Sequence, residues 1–172
     1  MTQAGPLRWR TGAGWLVLAG GGTWEDDGTG AIDAAALGWA DLDRPVAVLL
    51  TAGSSTAAGE ALLEYYADLG GPGGDVIPIF DAADAQRPEN CRWLEQAGLI
   101  YIADGPSTSR LVQALYASPA LEAMAQAFAY GAVVVGLGAG AIALGAWYAD
   151  LDHPGQIAPG WGWLPDAIIE PH

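Results

Sequence analysis

Gly136-Leu137-Gly138-Ala139-Gly140 is the stretch of this chain whose spacing speaks of chemistry. It follows three β-branched residues, Val133-Val134-Val135, and precedes a helix-compatible run from Ile142 to Tyr148. A short apolar run closed by glycines reads as a buried parallel strand. The glycines permit a sharp turn, because they accept positive φ and close backbone approach. A G-x-S-x-G elbow uses this geometry to hold a nucleophilic serine above the edge of a sheet. Here the serine's place is taken by Gly138, which has no side chain. The motif reads either as an elbow without its nucleophile or as a tight strand-to-helix turn without chemistry.

Other turns carry reactive groups, each with a plainer role beside it. Ser54, Ser55, Ser107, Thr108 and Ser109 offer hydroxyls, and all of them also suit turns and helix caps. Asp150, Asp152, His153 and His172 could supply mixed oxygen and nitrogen ligands to a metal, although Asp-x-Asp-His suits a turn equally well. Glu25-Asp26-Asp27 could hold a cation or form a solvated acidic loop. Gly20-Gly21-Gly22-Thr23 follows the first strand as a phosphate cradle would. It lacks the G-x-G-x-x-G spacing, and acids follow where the anion would sit. Cys91, beside Trp93 and Leu94 in a helical run, reads as packing rather than nucleophile. The sequence asks for no cofactor and no metal.

The elements that would position these groups alternate. Strands are expected at Trp15 to Ala19, Val46 to Leu50, Asp75 to Phe80, Leu99 to Ala103 and Val133 onward. Pro78 marks the third as an edge strand. Helices are expected over Ala31 to Ala40, from a Ser55 or Thr56 cap to about Leu69, over Pro88 to Ala97, Arg110 to Ala117 and Pro119 to Tyr130. This alternation predicts an α/β fold, a three-layer α/β/α sandwich around a mostly parallel, flavodoxin-like sheet. Its glycine- and serine-rich turns should converge at the carboxyl ends of the strands, where such sheets bind ligands. The tail from Asp150 is rich in Pro, Gly and Trp and predicts loops with a hairpin. Trp161 and Trp163 there could line a groove or pack over the sheet edge.

The 172 residues fit one α/β domain, 1–172, able to bury roughly 70% of its unfolded surface. A net charge of −14 argues against nucleic acid and anionic membrane surfaces as partners. No apolar run reaches the ~20 residues that span a bilayer, and no signal peptide is legible at the start. A single cysteine cannot form an internal disulfide, which suits a reducing cytoplasm.

Taken together, strand-GGG, strand-TAGSS, "LIYIADG", "VVVGLGAGA", "GWGWLP" and "IIEPH" resemble the peptidase E and cyanophycinase family, serine peptidases on the class I glutamine amidotransferase-like fold. The resemblance runs from Trp15 to His172. It implies a catalytic serine at Gly138, a base at His172 and an orienting acid at Asp152, with Asp150 as competitor. It places the oxyanion and substrate turn at Asp104-Gly105-Pro106, with Ser107 and Ala139 beside the ligand. Three departures follow. Gly138 supplies no nucleophile, and Asp104 and Pro106 replace small donors where a carboxylate would repel a developing oxyanion. The family's segment beyond the histidine is also missing.

Loss of a triad serine costs on the order of 10⁶ in kcat, about 8 kcal/mol. The leading expectation is a relative without catalysis that binds a small peptide-like ligand or a protein partner at the Gly138 turn. The alternatives are an active hydrolase of acidic or β-linked peptides using a relocated hydroxyl, and a structural subunit, such as half of a homodimer, that associates through its apolar C-terminal stretch.

Overall fold

The computed structural model describes residues 7, 9–22, 24, 28–150 and 155–170. Its centre is a five-stranded, all-parallel sheet built from β1 (Trp15–Ala19), β2 (Val46–Leu49), β3 (Gly74–Ile77), β4 (Leu99–Ile102) and β5 (Val133–Leu137), in the order β1-β5-β4-β2-β3. The three inner strands are aliphatic runs buried at every position, as strands covered on both faces must be. β3 lies at the edge and stops at Ile77, short of the expected Phe80. Pro78, which has no N–H to give a ladder, ends it.

Two helices cover one face: α1 (Gly30–Trp39) and α2 (Thr56–Asp68). Ala36, Leu37, Leu62 and Tyr66 from them meet Val46, Val48, Leu99, Tyr101, Val133 and Val135. The other face carries α3 (Pro88–Gln96), α4 (Thr108–Leu115) and α5 (Pro119–Ala129), with Leu94, Leu111, Leu115, Met124 and Phe128 packed on Leu49, Ile100, Ile102 and Val134. The helix starts are encoded locally. The hydroxyls of Ser55, Ser107 and Ser118 accept from Ala58, Arg110 and Leu121 N–H groups at 3.1–3.2 Å, the usual means of satisfying a first-turn donor.

After β5 the structure departs from expectation. The helix is a single short one, α6 (Ala139–Ala143), and the run to Tyr148 becomes β6 (Gly145–Ala149). Trp147 and Tyr148 face alternately out and in, a period of two that the small residues before them conceal. β6 pairs antiparallel with β7 (Ile157–Pro159) and parallel with β8 (Leu164–Ile168), so the hairpin expected within the tail from Asp150 starts before it, in the run read as helical. This second sheet joins the core through Tyr148, Trp163 and Leu164. Trp163 is buried against Phe128, with ring centroids 5.4 Å apart. Trp161 donates its indole N–H to the Val112 carbonyl. Both tryptophans therefore pack, and both also line a recess of about 360 Å³ beside Arg10, Ser118 and Glu122. Cys91 packs too, half-buried on the core, its thiol pushed up by burial and then by Glu95.

A buried acid locks α1 to α2. Asp33 is 1% exposed and accepts from Thr29 Oγ1 at 2.7 Å, Tyr66 Oη at 2.7 Å and Tyr65 Oη at 3.4 Å. Such a group is tolerable in the interior because donors replace its water. Tyr66→Phe leaves one oxygen without its short donor. The expected loss is about 1–3 kcal/mol in urea unfolding, with the sheet's far-ultraviolet spectrum unchanged. A loss near zero would show that Tyr65 or solvent replaces the donor.

Candidate functional site

The strand order places a crevice. From β2 the chain moves outward to β3, then returns past β2 to β4 and β5, so β2 and β4 flank the point where direction reverses. Loops leaving adjacent strands to opposite sides open a cleft at their carboxyl ends. Here it has a volume of about 190 Å³ and is lined by Trp24, Leu50, Ser54, Ala58, Leu62, Tyr101, Ala103, Asp104 and Leu137. The turns after β1, β2, β4 and β5 thus converge, as their composition implied.

The elbow is present in geometry. Gly138 has φ 50° and ψ −111°, a strained strand-to-helix conformation that glycine adopts without a Cβ penalty. Its N–H donates to the Ala19 carbonyl at 3.0 Å, and its carbonyl accepts from Ile142. What stands over it is Asp104. Asp104 Oδ1 accepts from the Ala139 N–H at 2.8 Å, and a Cβ built on Gly138 would land inside the Asp104 carboxylate. The acid therefore fills the volume a residue-138 side chain would need. It also caps the start of α6, where glycine has no side chain to do so.

The loop carrying Asp104 is pinned from below. Ser54 donates its hydroxyl to the Asp104 carbonyl. The Ser107 N–H donates to the Ala52 carbonyl at 3.2 Å. Gly105 rides so close to Ala52 that any Cβ there would meet its backbone at 2.6 Å. Ser107 caps α4 and pairs with Ser109 at 3.1 Å, outside the crevice lining. Of the residues expected from sequence, Gly138, Ala139, Asp104 and Gly105 come together. Asp152, His153 and His172 lie outside the described residues, as do Glu25, Asp26 and Asp27. Asp150 sits at the β6–β7 turn, its N–H on the Gln156 carbonyl. Among the described residues no group of three acids, histidines or cysteines could hold a metal, and no helix is long and apolar enough to cross a membrane.

Sequence reasoning missed the crevice walls. Trp24 stacks on Tyr65 at 5.2 Å, and Tyr101 meets Tyr66 edge-on at 5.9 Å. The one legible signal was Tyr101 itself, a polar ring inside an aliphatic strand. The phenols of Tyr66 and Tyr101 are both pushed well above the ordinary value. Burial is the main cause and the Asp33 charge the next.

No protein-family model matches the chain, and no curated protein matches it. Among solved structures it is similar to the crystal structure of a peptidase from an acI-B1 actinobacterium, with TM-score 0.76 and 21% identity over 88% of this chain. The match takes in 65% of that peptidase, so this chain spans just under two thirds of its length. The similarity is one of fold: a peptidase-like α/β architecture with a mostly parallel central sheet and helices on both sides.

Two outcomes are expected from this geometry. Gly138→Ala should cost about 1–3 kcal/mol, the range for a sparsely populated backbone conformation, because it adds both φ strain and a clash with Asp104. In an alkaline ultraviolet titration Tyr66 and Tyr101 should stay protonated well above the pH of ~10 at which a free phenol ionises. Their raised folded values stabilise the protein fully below the unfolded value, and that stability is lost as pH rises beyond it. Equal ionisation of all six tyrosines in the folded protein would contradict the burial.

Proposed function

We propose that this protein is a relative of the peptidase E and cyanophycinase type of serine peptidase that no longer carries out acyl transfer, and that its crevice binds a small peptide-like ligand. The observation that carries the reading is the Asp104 carboxylate on the Ala139 N–H. An acyl-transfer site needs an oxygen nucleophile at residue 138 and free N–H donors for the oxyanion that forms. Gly138 offers no oxygen, and the neighbouring N–H already binds a carboxylate. A second negative oxygen brought to that point meets repulsion instead of stabilisation.

Four of the five hydroxyls that could stand in for the serine, those of Ser54, Ser55, Ser107 and Ser109, are engaged. Ser54 donates to the Asp104 carbonyl, while Ser55 and Ser107 cap helices. Each would leave a structural role to become a nucleophile. What the fold keeps is a recess with apolar walls and a few polar groups, the composition of a small-ligand site. Peptidase ancestry makes a peptide-like ligand the natural occupant.

A fluorophosphonate probe tests this directly. The unmodified protein should not be labelled, and Gly138→Ser alone should gain little, since the new side chain collides with Asp104. Gly138→Ser combined with Asp104→Ala should accept the hydroxyl and free the Ala139 N–H, and labelling should rise at least about tenfold over the single variant, in line with one oxyanion donor's contribution. Stoichiometric labelling of the unmodified protein would overturn the non-catalytic reading.

A further inference from the structure

The crevice is chemically one-sided. Among the described residues, those that line it include one carboxylate, Asp104, and no arginine, lysine or histidine. Asp104 uses Oδ1 on the Ala139 N–H. Among the described residues Oδ2 has no hydrogen-bond partner. Tyr101 is 2% exposed, and its hydroxyl also has no partner among the described residues. Yet it is not sealed in, since Trp163 Nε1 is the one fully buried, unpartnered side-chain polar atom among them. Tyr101 is itself one of the residues that line the crevice. A nearly buried hydroxyl left without a partner is costly unless something reaches it.

The remaining surface sorts ligands by charge and shape. Leu50, Leu62, Ala103 and Leu137 form apolar walls, and Trp24 and Tyr101 add two aromatic rings. Aromatic faces attract cations and repel anions. A carboxylate with a free oxygen does the same, more strongly when the partner donates a charge-assisted hydrogen bond. About 190 Å³ lies below the ~300 Å³ at which sites for drug-sized ligands begin. That is room for one ring or one side chain with its head group, not for an extended peptide.

We infer that the crevice recognises a primary ammonium carried on a small apolar or aromatic body, such as an arylalkylamine or the amino-terminal residue of an apolar peptide. The ammonium pairs with Asp104 Oδ2 and the Tyr101 hydroxyl, and the body lies against Trp24 and the leucines. This deepens the binding reading above and rests on it. It also separates this crevice from sites for acidic substrates, since a ligand carboxylate would face Asp104 with no cation among the described lining residues to offset it.

Three isosteric probes decide the matter: 2-phenylethylamine, 2-phenylethanol and phenylacetate, titrated calorimetrically and by tryptophan fluorescence at neutral pH. The amine should bind about tenfold or more tightly than the alcohol, the scale of one charge-assisted hydrogen bond, and phenylacetate should bind weakest. Asp104→Asn keeps an acceptor for the Ala139 N–H and should bring amine and alcohol within about twofold of each other. Tyr101→Phe should weaken the amine severalfold with its near-ultraviolet spectrum otherwise preserved. Equal binding of amine and alcohol, preference for phenylacetate, no binding of any probe, or an amine preference that survives Asp104→Asn would each overturn the inference. Fluorophosphonate labelling fails or succeeds independently of these titrations, so loss of amine selectivity and gain of catalysis are distinguishable.

Discussion

A single hydrogen bond organises the carboxyl edge of this sheet: Asp104 Oδ1 accepting from the Ala139 N–H. It joins the turn after β4 to the turn after β5, supplies the cap that Gly138 cannot, and sets a negative charge at the positive end of a short helix. Everything near it follows. Gly105 must be small so that the Asp104 loop can settle on Ala52, and Ser54 holds that loop by its carbonyl. The crevice keeps its shape because these loops brace one another rather than because any one of them is rigid.

The carboxylate and the glycine are two halves of one arrangement. A side chain at residue 138 would have to displace Asp104. Asp104, once in place, makes the bare glycine the residue that fits. Along the chain, the acid at residue 104 and the bare glycine at residue 138 look unrelated. In space they are complementary, since the carboxylate occupies the volume that a side chain at residue 138 would need.

Another carboxylate, the buried Asp33, works from the opposite side of the crevice wall. By gathering the hydroxyls of Thr29, Tyr65 and Tyr66 it holds α1 against α2. Tyr65 in turn backs the Trp24 ring that closes the crevice, and Tyr66 packs against Tyr101. The aromatics that line the crevice are thus backed by a charge that lies outside its lining. Removing that charge would loosen the wall through its supports.

The alternation of aliphatic runs with capped helices, the edge position signalled by Pro78, and the glycine turn after Val135 were all legible along the chain. Each depends on neighbours a few residues away, where period, propensity and capping act. The same local rules failed at Ile142 to Tyr148, where small residues suit helix and strand alike and pairing with β7 and β8 decided for the strand. The presence of an acid at residue 104 was legible too, as an obstacle to an oxyanion. That its carboxylate fills the space above Gly138 was not, because Asp104 and Ala139 are 35 residues apart and meet only through the pairing of β4 with β5. Strand sequences say that a parallel sheet will form. Which loops end up side by side depends on strand order, and that is settled by packing of the whole chain.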